Sequence, residues 1–137
     1  MTTDPRELGL DTTVPASVDE SVPPRDTANR PAQERLLATS AAAAALDALA
    51  TCDFAGGNPA DGFARLERAV ALCEDGRCWS GHLDAFRHAL GLKLFQTGRD
   101  RKRGVAMIRA ARAGFTDSGR EADVKEVDAW LKEHAPR

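Results

Sequence analysis

The chain has no tyrosine, one isoleucine (Ile108), and only 5 Phe and 2 Trp among 137 residues. Strands draw on β-branched and aromatic side chains, whereas helices draw on Ala, Leu, Arg and Glu. The shortage therefore excludes most β architectures and points to an all-α fold. No continuous apolar run approaches the roughly 20 residues a membrane span needs, so no membrane partner is expected. The chain begins Met1-Thr2-Thr3-Asp4-Pro5, with no basic stretch leading into an apolar core, so no secretory leader is expected either. Three cysteines, an odd number, argue against a disulfide framework, and a reducing cytoplasm is the expected setting.

What the chain does have is a likeness to itself at an offset of about 41 residues. Leu49, Ala50, Phe54 and Gly57 fall on Leu90, Gly91, Phe95 and Gly98. After one extra residue in the second copy, Gly62, Ala64, Leu66, Ala69, Ala71 and Asp75 fall on Gly104, Ala106, Ile108, Ala111, Ala113 and Asp117. Each copy reads as helix, glycine-containing turn, helix. A period of that size made of helix pairs is the signature of an α-solenoid, whose units stack to bury a shared core.

Residues 1–30 hold Pro5, Pro15, Pro23 and Pro24, with Pro31 at the border, and no apolar stripe. They are read as a disordered tail, leaving 31–137 as the helical domain. The first helix is expected from Pro31 or Ala32 to Cys52, with Leu36, Leu37, Leu46 and Leu49 as its contacts. The second starts at Asn58-Pro59 and buries Phe63, Leu66, Ala69, Val70 and Cys73. The third follows Ser80 with Leu83, Phe86, Leu90, Leu94 and Phe95 inward. The fourth runs from about Asp100 to Thr116 on Val105, Ile108, Ala111 and Phe115. The fifth, Arg120 to His134, packs through Val124, Val127, Trp130 and Leu131, and Pro136 stops it.

Within each pair a bulky and a small residue begin the packing face of the first helix (Leu49-Ala50, Leu90-Gly91). The second helix then carries Gly62, Leu66 and Ala69, and again Gly104, Ile108 and Ala111. This pattern over residues 36–134 resembles the tetratricopeptide repeat in the longer-period form found in bacterial signalling proteins. His88 to His134 is similar to the helical-repeat regions attached to large bacterial serine/threonine kinases. The resemblance implies a short α-solenoid of two helix-turn-helix repeats plus a C-terminal capping helix. It also implies a concave groove lined by the first helices, with Asp47, Thr51, His88, Leu92 and Gln96 as partner-binding candidates. Phe54 and Phe95 belong either to the groove floor or, preferably, to the core. The aromatic that the family carries early in each first helix is missing, with Leu46 and Arg87 in its place.

Charge is split along the chain. Residues 1–76 carry 6 basic against 13 acidic side chains, and residues 77–137 carry 13 against 8, giving −7 and +5. Arg99-Asp100-Arg101-Lys102-Arg103, with Lys93 and Arg109, could meet phosphates, but no aromatics interleave to stack bases, so a solvated basic cluster is preferred over a nucleic-acid site. Cys52, Cys73, Cys78 and His82 could form a Cys3His zinc site, and Cys73 with Cys78 a redox pair, yet the spacing is looser than a zinc knuckle and a hydrophobic role for cysteines on or beside apolar helix faces is preferred to both. No carboxylate or nucleophile is spaced to work with His88, and no phosphate-binding glycine loop is present. The expectation is therefore a protein–protein interaction module with neither catalytic residues nor cofactor, its partner a protein or peptide segment. A client-holding chaperone and a kinase-linked accessory phosphorylated at Thr12 or Thr13 are the alternatives. Two repeats are few for a solenoid, so a homodimer built through an exposed end also fits.

Overall fold

Pro59, Asp100 and the turn glycines Gly57, Gly98 and Gly119 divide the chain into helices, as helix-start and helix-stop chemistry requires. The structure, a computed structural model, describes residues 25–79 and 81–135. Its elements are α1 (Arg25–Ala55), α2 (Pro59–Cys73), a 3-10 turn (Glu74–Gly76), α3 (His82–Gln96), α4 (Arg101–Asp117) and α5 (Glu121–His134). Among the described residues there is no strand, and the fold is all-α. The chain divides into two compact units, Met1–Gln33 and Glu34–Arg137. In the first unit only the opening turns of α1 are described, and Asn29–Gln33 are exposed there. Most of the tail assigned from composition, residues 1–24, lies outside the described residues, as do Ser80 and Pro136.

In α1, the helix begins at Arg25, which places Pro31 inside it rather than in its first turn. The buried side is not the leucine side. Ser40, Ala43 and Ala50 are buried and Leu36 and Leu46 half-buried, while Leu37 and Leu49 are 54% and 48% exposed. Ala43 and Ala50 join a core with residues of α2 and α3, and Ser40 Oγ accepts the Trp79 backbone N–H at 3.2 Å. The apolar residues of α1 run all round it, so no stripe in the sequence singles out the buried side. By length and composition Asn29–Ala55 would suffice to cross a membrane, because its alanines raise the mean hydropathy to 1.3 although polar residues interrupt every run.

The other helices bury most of the expected residues, with Leu83 and Phe95 of α3 half-buried. Phe63, Leu66, Ala69, Val70 and Cys73 of α2 are buried, as are Phe86, Leu90 and Leu94 of α3, and Val105, Ile108, Ala111 and Phe115 of α4. In α5 Val127 is fully buried, and Val124, Trp130 and Leu131 pack half-buried around it. Asp100 caps α4 by accepting the Arg103 backbone N–H at 3.0 Å. α3 and α4 meet where a glycine from each touches the other's backbone. A Cβ on Gly91 would stand 2.8 Å from the Gly104 carbonyl oxygen, and one on Gly104 would stand 2.7 Å from that of Gly91.

One expectation is overturned. Cys73 and Cys78 form a disulfide with Cα atoms 4.7 Å apart, and Cys52, expected on an apolar helix face, is the exposed free cysteine. The 3-10 turn is responsible. Asp75 takes a left-handed conformation (φ 62°) followed by Gly76 (φ 74°), so the chain doubles back and returns Cys78 to the end of α2. The odd cysteine count argues against a framework of bridges but leaves a single local bridge untouched. With Cys73 and Cys78 joined and Cys52 exposed, the three do not supply a common thiolate set with His82.

Candidate functional site

Residues from three helices enclose a small open cleft. Asp47, Thr51 and Phe54 of α1 follow one another at i, i+4 and i+7. Ala89, Leu92, Lys93 and Gln96 of α3 follow at i, i+3, i+4 and i+7, and Leu66 of α2 completes the lining around about 270 Å³. Both sets follow from the 3.6-residue turn, which stacks such positions on one face. Thr51 Oγ1 donates to the Asp47 carbonyl at 3.1 Å. Lys93 Nζ sits 4.9 Å above the Phe54 ring, a cation–π contact that closes one side. Phe54 in turn meets Phe63 edge-on at 5.0 Å between centroids. Burial pushes the Asp47 carboxyl above its ordinary value, since removal from water disfavours the charged form.

Four of the five groove candidates, Asp47, Thr51, Leu92 and Gln96, line this cleft. His88 does not. Steps of four residues overrun the helical turn by about 40° each, and by His88 the drift has carried the side chain off the cleft. Its ring is half-buried and lies edge-on to Phe115 of α4, 6.2 Å away. Leu66, Ala89 and Lys93 line the cleft without being among the candidates, and Phe54, preferred as core, lines it as well. The i+3 spacing from Ala89 and Gln96 was the signal available for the α3 pair.

Burial lowers the His88 pKa below its ordinary value, against an opposing pull from Glu126 and Asp123. The unfolded chain thus takes up this proton before the folded one. The contribution of His88 to stability is intact above about pH 6.5 and is lost as pH falls below it. His88→Gln should flatten that part of the curve, read as the difference in urea midpoint between pH 7.5 and pH 5.5 for the two proteins. An equal drop in both would clear His88 of the role.

The basic run is dispersed by the fold. Arg103 pairs through both terminal nitrogens with Glu67 of α2 and holds the Glu67 carboxyl below its ordinary value. Arg99 lies over the Phe63 ring at 4.5 Å and Arg101 over Phe95 at 5.5 Å. Phe95 and Phe54 are both half-buried. Trp130 packs against Phe95 with centroids 4.9 Å apart, and Trp79 is 48% exposed. Among the described residues no three His, Cys, Asp or Glu side chains converge as a metal-ion site. No protein-family model, curated protein or solved structure matches the chain.

Proposed function

We propose that this protein is an interaction module of two tetratricopeptide-like helix pairs with a closing helix, and that it holds a segment of another protein in the cleft between α1 and α3. The observation that carries the reading is the cleft itself, where Asp47, Thr51, Leu92 and Gln96 from the two first helices surround one small volume. Its lining mixes an acid, two neutral hydrogen-bonding groups, a cation and apolar contacts. Such a mixture suits a bound segment, with an apolar anchor inside and polar groups selecting at the rim. The recurrence of small buried residues at matched places, Gly62 with Gly104 and Ala69 with Ala111, supports the repeat reading.

The test is occlusion of the cleft from its exposed rim. Thr51→Arg with Gln96→Arg changes two exposed positions, so helicity and melting should be unaffected. Affinity purification from the native cell with quantitative mass spectrometry should then show a partner kept by the wild type and reduced about tenfold or more in the variant, the loss expected when a segment costing over 1.4 kcal/mol is displaced. Equal recovery would place the partner surface elsewhere. The cytoplasmic setting that accompanies this reading carries its own check. In a reducing cytosol Cys73 and Cys78 are kept as thiols, and in an oxidising compartment they are joined. Alkylation of thiols in the native cell before lysis distinguishes the two.

A further inference from the structure

A cavity larger than the cleft lies apart from it, where Phe95 of α3, the exposed start of α4 and His134 of α5 surround about 740 Å³. Its floor is apolar, made by Phe95, Val105 and Ala106, and its charged lining is Arg101, Lys102 and Arg109. No carboxylate lines it. Among the described residues none of the three cations has a carboxylate within ion-pair distance, in contrast to Arg103, Arg112 and Arg120 on the same helix or just beyond it. Arg101 and Arg109 stand eight residues apart on α4, a rise of about 12 Å, with Val105 midway between them. An extended chain covers that distance in about four residues at roughly 3.3 Å each.

We infer that this cavity binds an acidic peptide segment in which two carboxylates about four residues apart flank a leucine-type anchor. The carboxylates meet Arg101 with Lys102 at one end and Arg109 at the other, and the anchor rests on Phe95 and Val105. A guanidinium without an ion-pair partner gains most from a carboxylate, because paired charge-assisted hydrogen bonds replace water, and Arg101 makes that pair beside its contact with the Phe95 ring. The site is separate from the cleft between α1 and α3 and does not depend on it. The pattern is concrete enough to write as a probe, because the chain's own sequence holds one instance, Glu7-Leu8-Gly9-Leu10-Asp11.

The experiment uses a fluorescein-labelled synthetic peptide copying residues 5–13, titrated by fluorescence anisotropy. It is run with the full chain and with the Glu7→Gln/Asp11→Asn chain, whose own copy cannot compete. Saturable binding is expected, weakened at least tenfold by Arg101→Glu with Arg109→Glu. These are exposed positions whose change should leave the circular dichroism and melting as they are. A tenfold loss is also expected when the peptide acids become Gln and Asn, and again when both leucines become Ser. No binding to either chain overturns the inference, as does equal binding by the charge-reversed variant or by either altered peptide. Tighter binding of a ten-residue oligothymidylate, lost in the same charge-reversed variant, would also overturn it and make the cavity a nucleic-acid site.

Discussion

Leu90→Ala should destabilise the protein by about 2–5 kcal/mol, the usual cost of emptying a filled core position, while Leu49→Ala should stay within about 0.5 kcal/mol. The two leucines occupy matched places in the internal repeat, yet Leu90 is 0% exposed and Leu49 is 48% exposed. Leu90 joins the core shared by α1, α2 and α3, so its removal leaves a cavity that rigid neighbours can only partly close. Leu49 has water on its outer side and leaves none. Chemical denaturation of both variants checks this directly. At roughly 4–8 °C per kcal/mol for a domain of this size, the melting temperatures should separate by at least several degrees. Similar losses from both would mean that α1 is turned to bury its leucines.

The second large effect is expected at the crossing of α3 and α4. Alanine normally stabilises a helix over glycine by about 1 kcal/mol, so either Gly91→Ala or Gly104→Ala would raise the melting temperature on an open helix face. Here each new methyl would press on backbone, the carbonyl oxygen of the opposite glycine, at under 3 Å. Backbone cannot swing aside as a side chain can, so the helices must separate. A net loss of about 1–3 kcal/mol is expected for each, with the double variant costing less than the sum because one separation relieves both clashes. Gly62→Ala is the comparison. Its methyl would meet the half-buried Phe54 ring, which can shift, and the loss should be smaller. A higher melting temperature for Gly91→Ala would show that the two helices do not touch there.

The sequence makes the ends and inward faces of α2, α4 and α5 legible because their signals are local and agree with one another. Pro59 opens α2 and Asp100 caps α4, and the apolar spacing of each is carried by large residues that have one side to choose. α1 is different. Ala41 to Ala45 are nearly equal in size and apolarity on every side, so the choice of buried face belongs to the surfaces of α2 and α3, which the sequence of α1 does not contain. The same limit applies to the cleft. Asp47, Thr51, Leu92 and Gln96 follow from stacking first helices, but His88 was placed with them by a four-residue step that drifts around the helix. Lys93 lines the cleft with its ammonium over the Phe54 ring. The Cys73–Cys78 bridge depended on a left-handed Asp75, a conformation that nothing but Gly76 beside it announces.

That bridge changes what a cut in the backbone would mean. Arg77 is exposed and is the last of the four residues between Cys73 and Cys78. A trypsin-type cleavage after it would sever α1 and α2 from α3, α4 and α5 along the main chain, while the sulfur bridge kept them on one covalent molecule. The nicked protein would run as a single species on a non-reducing gel and fall into two fragments once reductant was added. Only then would the shared core of α1, α2 and α3 have to hold the two halves together by contact alone.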